Sequence, residues 1–132
     1  MRRATLSSNS DWTALCVEAT VGGLSALAAV PCQKLVDDPT LRRLLRAVAA
    51  EASSAARKDG QSVSGRLEDL AARDCRRSPR RTHPWQRALR RGRKTGAEAV
   101  FGPILKAARR AGTPVPKLAV MAEVLSRLDR DR

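Results

Sequence analysis

The densest chemistry in this 132-residue chain is cationic. Residues 73–94, RDCRRSPRRTHPWQRALRRGRK, hold nine arginines, one lysine and a single acid, Asp74. Guanidinium groups at this density grip phosphates, and an aromatic ring among them stacks on bases. Arg80, Arg81, Trp85, Arg90 and Arg91 are the candidates for such an anion or nucleic-acid patch. The plainer reading is a solvated loop and helix face, in a chain whose 26 basic and 13 acidic residues give a formal charge of +13. No base-reading motif accompanies the arginines. Steering of an anionic substrate or an acidic protein partner is the intermediate reading.

The thiols and the imidazole do not form a metal site by spacing. Cys16, Cys32 and Cys75 include no Cys-x-x-Cys pair, and the one histidine, His83, does not complete a four-ligand zinc set with them. Two buried helical cysteines and one beside the basic loop, all reduced, are expected. A lone carboxylate, Glu18, interrupts the apolar stretch 11–27, DWTALCVEATVGGLSAL.

The elements that position these groups read as helices. Apolar residues make up 42% of the chain but aromatics only 2%, so the core must be built from Leu, Val and Ala. The length suits one domain with a true core. A first helix starts near Asp11, with Ser10 as N-cap, and is expected to loosen at Gly22-Gly23. Pro31 ends the segment that follows. Asp38-Pro39 opens the next helix, with Leu41, Leu44, Leu45, Val48, Ala52 and Ala55 on one face and Gly60 closing it. Further helices are expected over about 65–75, after Pro84, over about 95–111 up to Gly112, and from Pro116 to about Leu128. Of the last, Leu118, Met121, Ala122, Leu125 and Leu128 should point inward. No period-2 strand and no internal repeat is present.

In order and spacing, these pieces resemble the C-terminal helical domain of ketopantoate reductases. The frame of the first helix survives as Trp12, Leu24, Ser25, Ala26 and Leu27. Leu35 to Pro39 is similar to the family's lead-in to its second helix, Glu51 stands nine residues before Gly60 as in the family, and Gly92-Arg93-Lys94-Thr95 matches a Gly-Arg-x-Thr segment. Gly102 falls where a glycine lets two helices approach, and Gly112 to Pro116 resembles the turn before the final helix. The resemblance implies an all-α single domain of about six to seven helices over 10–129. Residues 1–9 would form a disordered lead and 130–132 a disordered tail. The helical domain of 6-phosphogluconate-type dehydrogenases is the nearest alternative family.

The family reduces a 2-oxo acid with NADPH on the way to pantothenate, and its catalytic positions are replaced here. Ala14 stands at the lysine, Glu18 at the first asparagine, Gly22 at the second, Pro84 at a substrate-contacting serine and Gly96 at a glutamate. Ala88 stands at the aspartate of the short helix. A lysine polarises a ketone oxygen and supplies its proton, whereas alanine does neither. A slip of alignment would make Thr13 or Lys94 the substitute. Glu18, Ser25 and Thr95 remain as pocket candidates. Glu18 is either a cation-recognising group or base with a raised pKa, or, more plainly, the partner of an arginine.

The family's NADPH sits on a separate doubly wound domain. This sequence has no Gly-x-Gly-x-x-Gly and no strands to carry one, so no cofactor is expected to bind this chain alone. The resemblance therefore implies a substrate-side or dimerisation module, inactive alone, either degenerate or completed by a separate nucleotide-binding chain. A basic helical module for nucleic acid or an acidic protein is the alternative. Leu15, Val17, Val21 and Leu24 are candidates for an uncovered apolar face that a second copy or that other chain would bury. Met1-Arg2-Arg3 before an apolar stretch resembles a signal peptide, but Asp11 and Glu18 interrupt it. With no long apolar run, a cytoplasmic protein off the membrane is expected.

Overall fold

A computed structural model describes residues 9–132. It contains seven helices and no strand among the described residues: α1 (Asn9–Ala28), α2 (Lys34–Asp37), α3 (Pro39–Lys58), α4 (Leu67–Arg77), α5 (Pro84–Arg90), α6 (Glu98–Ala111) and α7 (Pro116–Arg130). The all-α expectation holds. The expected disordered lead lies outside the described residues up to residue 8, while Asn9 and Ser10 are already helical. Ser10 therefore does not cap α1 from outside.

The apolar residues of α1 go nearly all the way round, and a helix of that kind ends in the interior. It packs against α3, α4, α5, α6 and α7. Cys16, Ala19, Thr20, Val21, Leu24, Ser25 and Ala26 are buried along it. The two glycines do not loosen α1, which runs through them unbroken. A methyl group on Gly23 would lie 2.4 Å from the Met121 side chain of α7 and 3.0 Å from Phe101 of α6. Close packing thus offsets the low helix propensity of glycine. At Gly102, by contrast, the nearest neighbour is Glu98 of the same helix, so the expected close approach of helices falls at Gly22-Gly23 instead.

Local chemistry explains the other boundaries. Asp38 caps α3, its carboxylate accepting from the Thr40 and Leu41 N–H groups, with Pro39 in the first turn. Leu45, Val48, Ala52 and Ala55 are buried on the expected face, and Leu41 and Leu44 pack half-buried beside them. Gly112 ends α6 in the left-handed conformation (φ 66°). Helix α4 starts at Leu67 rather than near Gly65, because Gly65 takes a positive φ of 62°. Helix α6 starts at Glu98 rather than Thr95, because Thr95 and Gly96 form a turn held by Asp129. Glu51 reaches across from α3 to accept from the Lys117 and Leu118 N–H groups, so a glutamate on one helix caps another.

Candidate functional site

Ala14 and Glu18 lie one turn apart on α1 and open into the same cleft. The facing wall is α4 with its flanking loops: Leu70, Arg73, Asp74, Arg77, Arg81 and Ser64. Thr13 and Val17 complete the α1 side, and the cleft holds about 680 Å³. Thr13 accepts from the Ser64 N–H at 2.9 Å, tying α1 to the segment before α4. Ala14 therefore faces open space and carries only a methyl group.

Three guanidinium groups line the opposite wall. Asp74 holds two of them, Arg77 and Arg81, each at 2.7 Å. Arg73 has no carboxylate partner among the described residues and stands exposed. Such a wall attracts an anion, and a carboxylate in particular, through charge-assisted hydrogen bonds.

His83 does not line the cleft but holds Glu18, which does. Its ring is buried, and its Nδ1 accepts the Trp85 N–H at 3.1 Å, so that it caps α5. An Nδ1 that accepts leaves the proton on Nε2, which lies 3.1 Å from a Glu18 carboxylate oxygen. The imidazole thus donates to Glu18 and fixes its orientation. This hydrogen bond, with the charge of Arg81, outweighs burial and holds the Glu18 carboxyl below the usual carboxylate range. Two expectations are corrected: the pKa of Glu18 moves down rather than up, and its direct partner is a histidine rather than an arginine. Pro84 in the first helical position marked residue 83 as a cap, which was the available signal.

Gly22 lies one further turn along α1. A methyl group there would come within 2.7 Å of the Trp85 ring and 2.8 Å of two His83 ring atoms. These two side chains fill the space beside Gly22. Trp85 itself is buried, edge-on to His83 at 4.9 Å and tilted against Phe101 at 5.9 Å. Neither base stacking nor a solvated face, the two readings of the basic segment, fits this residue: core packing holds it away from the surface.

The remaining candidates are dispersed. Pro84 is the exposed first residue of α5. Ser25 is buried and donates back to the Gly22 carbonyl at 3.3 Å. Thr95 and Gly96 belong to the α5–α6 turn, where Gly96 has a φ of 73°, a conformation that favours glycine. Arg80, Arg90 and Arg91 are exposed, and none of them lines the cleft. Of the proposed apolar face, Val21 and Leu24 are buried, and Leu15 and Val17 are half-buried against the core. Neighbouring helices of this same chain cover it. Cys16, Cys32 and Cys75 are all buried free thiols, including the one expected beside the basic loop. Among the described residues no group of histidine, cysteine and carboxylate side chains could hold a metal ion, and no helix is long and apolar enough to cross a membrane.

Comparison with known proteins agrees with this architecture. The family described as "Ketopantoate reductase PanE/ApbA C terminal" matches residues 8–129. Among solved structures, a PanE/ApbA family ketopantoate reductase from Ralstonia eutropha JMP134 superposes with a TM-score of 0.82 at 22% identity. The match covers 92% of this chain and 41% of that one, so this chain spans less than half the length of the enzyme it resembles. At that identity the likeness establishes the fold. No curated protein matches the chain.

Proposed function

The chain belongs to the ketopantoate reductase C-terminal family, and from that premise we propose that it is a substrate-side module that does not carry the family's proton donor. Ala14 carries the proposal: it faces the cleft at the lysine position and offers no group to polarise a ketone or protonate an alkoxide. Gly22 offers none either, since its neighbours are the His83 and Trp85 rings. The arginines of the facing wall favour a small carboxylic acid as ligand, in keeping with a 2-oxo acid.

A nicotinamide dinucleotide needs a strand–turn–helix to seat its pyrophosphate on a helix N-terminus. The described helices offer no such unit, so no step through NADPH is derived for this chain. In our reading the module is either degenerate or completed by a nucleotide-binding domain that these residues do not themselves form. The test is to mix the purified chain with NADPH and a 2-oxo acid and follow cofactor absorbance. No turnover is expected. Turnover abolished by Glu18→Gln would overturn the reading, since Glu18 would then be the acid–base group.

Phosphate binding by the basic segment is the second reading, favoured by the exposure of Arg76, Arg77, Arg80, Arg90 and Arg91. The burial of Trp85 removes its stacking element. Retention on single-stranded nucleic acid should then fall steeply with salt. It should disappear when Arg80, Arg90 and Arg91 become glutamate, and retention unchanged by that reversal would sink this reading.

A further inference from the structure

The cleft between α1 and α4 contains two carboxylates, and they differ in what they have left to offer. Asp74 is saturated: Arg77 takes its Oδ1 and Arg81 its Oδ2, each at 2.7 Å. Glu18 is not. His83 Nε2 stands 3.1 Å from its Oε2, and its Oε1 accepts no hydrogen bond among the described residues. The imidazole that holds it is buried and is itself fixed by the Trp85 N–H. Glu18 is thus a half-exposed carboxylate, pinned through one oxygen and open at the other. Its lowered pKa keeps it ionised at neutral pH.

The facing wall carries the opposite charge. Leu70, Arg73, Asp74 and Arg77 recur at helical spacing and so share one face of α4. Arg73 pairs with no carboxylate among the described residues, and Arg77 gives only its Nη2 to Asp74, so donors remain on both guanidinium groups. Ala14 and Val17 on the α1 side and Leu70 on the α4 side add apolar surface. The cleft therefore offers an open carboxylate on one wall, open guanidinium donors on the other and apolar surface on both.

On the reading of this cleft as a site for a small carboxylic acid, we propose that it takes an apolar α-amino acid as the zwitterion. The ammonium sits on Glu18, the carboxylate on Arg73 and Arg77, and the side chain against Ala14, Val17 and Leu70. A 2-oxo acid presents only acceptors, so its ketone and carboxylate oxygens meet the ionised Glu18 lone pair to lone pair. An ammonium presents three N–H donors and the opposite charge, and charge-assisted hydrogen bonds are the strong ones. A 2-hydroxy acid offers Glu18 one neutral donor and gains less. An amine without a carboxylate gains nothing from Arg73 and Arg77 and is repelled by them.

Calorimetric titration of the whole chain tests this with four ligands of one skeleton: L-leucine, its 2-oxo acid, its 2-hydroxy acid and the amine that remains without the carboxylate. L-leucine should bind about tenfold or more tighter than each of the others, as expected for an added hydrogen bond to a charged group. Glu18→Gln should erase its advantage over the 2-oxo acid. Arg73→Gln should weaken L-leucine and the 2-oxo acid alike and should not weaken the amine. Circular dichroism checks that both variants stay folded. On the wild-type chain, added L-leucine should shift the Glu18 side-chain carboxyl resonance, and the 2-oxo acid should move it less. A 2-oxo or 2-hydroxy acid bound as tightly as L-leucine would overturn the amino-acid assignment and leave the carboxylic-acid reading standing. An amine bound as tightly as L-leucine, or an advantage that survives Glu18→Gln, would also overturn the assignment. Binding of none of the four would overturn both.

Discussion

His83 and Glu18 meet at 3.1 Å, and the His83 ring lies against Gly22 of α1, where an added methyl group would collide with it. The three residues form a single packing solution. A glycine on the helix admits a buried imidazole, the imidazole caps α5 through its other nitrogen, and its remaining N–H holds a carboxylate at the edge of the cleft. The space beside Gly22 is thus closed by the His83 and Trp85 rings.

Gly22→Ala should therefore destabilise the fold by roughly 1–3 kcal/mol, the usual range for forcing a methyl group into a packed interior. Gly22→Asn, with its larger side chain, should cost more. Pairing it with His83→Ala should recover part of the loss, because the Trp85 ring still stands in the way. Urea unfolding of the four proteins measures this coupling. Strict additivity of the two substitutions would show that the residues do not compete for the same space.

Glu18 gives a pH signature of known sign. Its folded pKa lies below the ordinary value of 4.5, so its contribution to stability is present above that value and is lost as pH falls through the lowered one. Glutamine at 18 can still accept from His83 but carries no charge. The stability gap between wild type and Glu18→Gln should be about 1 kcal/mol near neutrality, discounted for a half-exposed carboxylate, and should narrow progressively as pH falls below about 4.5. A gap that widens in acid would contradict the assignment of His83 as donor to a charged Glu18.

Much of this fold was legible because its signals are local. Asp38-Pro39 and Gly112 mark helix ends by chemistry confined to a few residues, and the resemblance lay in the order of such marks. The cleft was only half legible. Ala14 and Glu18 could be assigned to one face by helical spacing, but the partner of Glu18 lies far along the chain and is set by how α5 docks on α1. Trp85 was misread for a related reason: its neighbours in sequence are arginines, whereas its neighbours in space are His83 and Phe101. The Gly22-Gly23 pair was read as a weak point by propensity, and tertiary packing overrides propensity there.

The thiols should be inert in the native state. Burial pushes Cys16 and Cys75 up to about 12 and raises Cys32 as well, so the thiolate is scarce and shielded. A thiol reagent at mildly alkaline pH should modify all three together, at a rate that follows global unfolding and rises with denaturant. Rapid labelling of a single cysteine in native buffer would show that the helix covering it opens on its own.

Asp129 ties the far end of α7 to the turn before α6. Its carboxylate accepts from the Thr95 N–H at 2.8 Å, the Thr95 hydroxyl at 2.7 Å and the Gly96 N–H at 3.1 Å. The Thr95 hydroxyl oxygen in turn accepts from the Ala97 N–H at 3.1 Å, so one carboxylate organises the whole approach to α6. Asp129→Ala should cost about 2 kcal/mol, since several hydrogen bonds to a charged acceptor go at once. Thr95→Val removes only the hydroxyl links and should cost less. The two are separated by amide hydrogen exchange: Asp129→Ala should expose the Thr95 and Gly96 amides, and Thr95→Val the Ala97 amide alone. Equal exchange at all three amides in both variants would mean that backbone geometry, rather than Asp129, holds the turn.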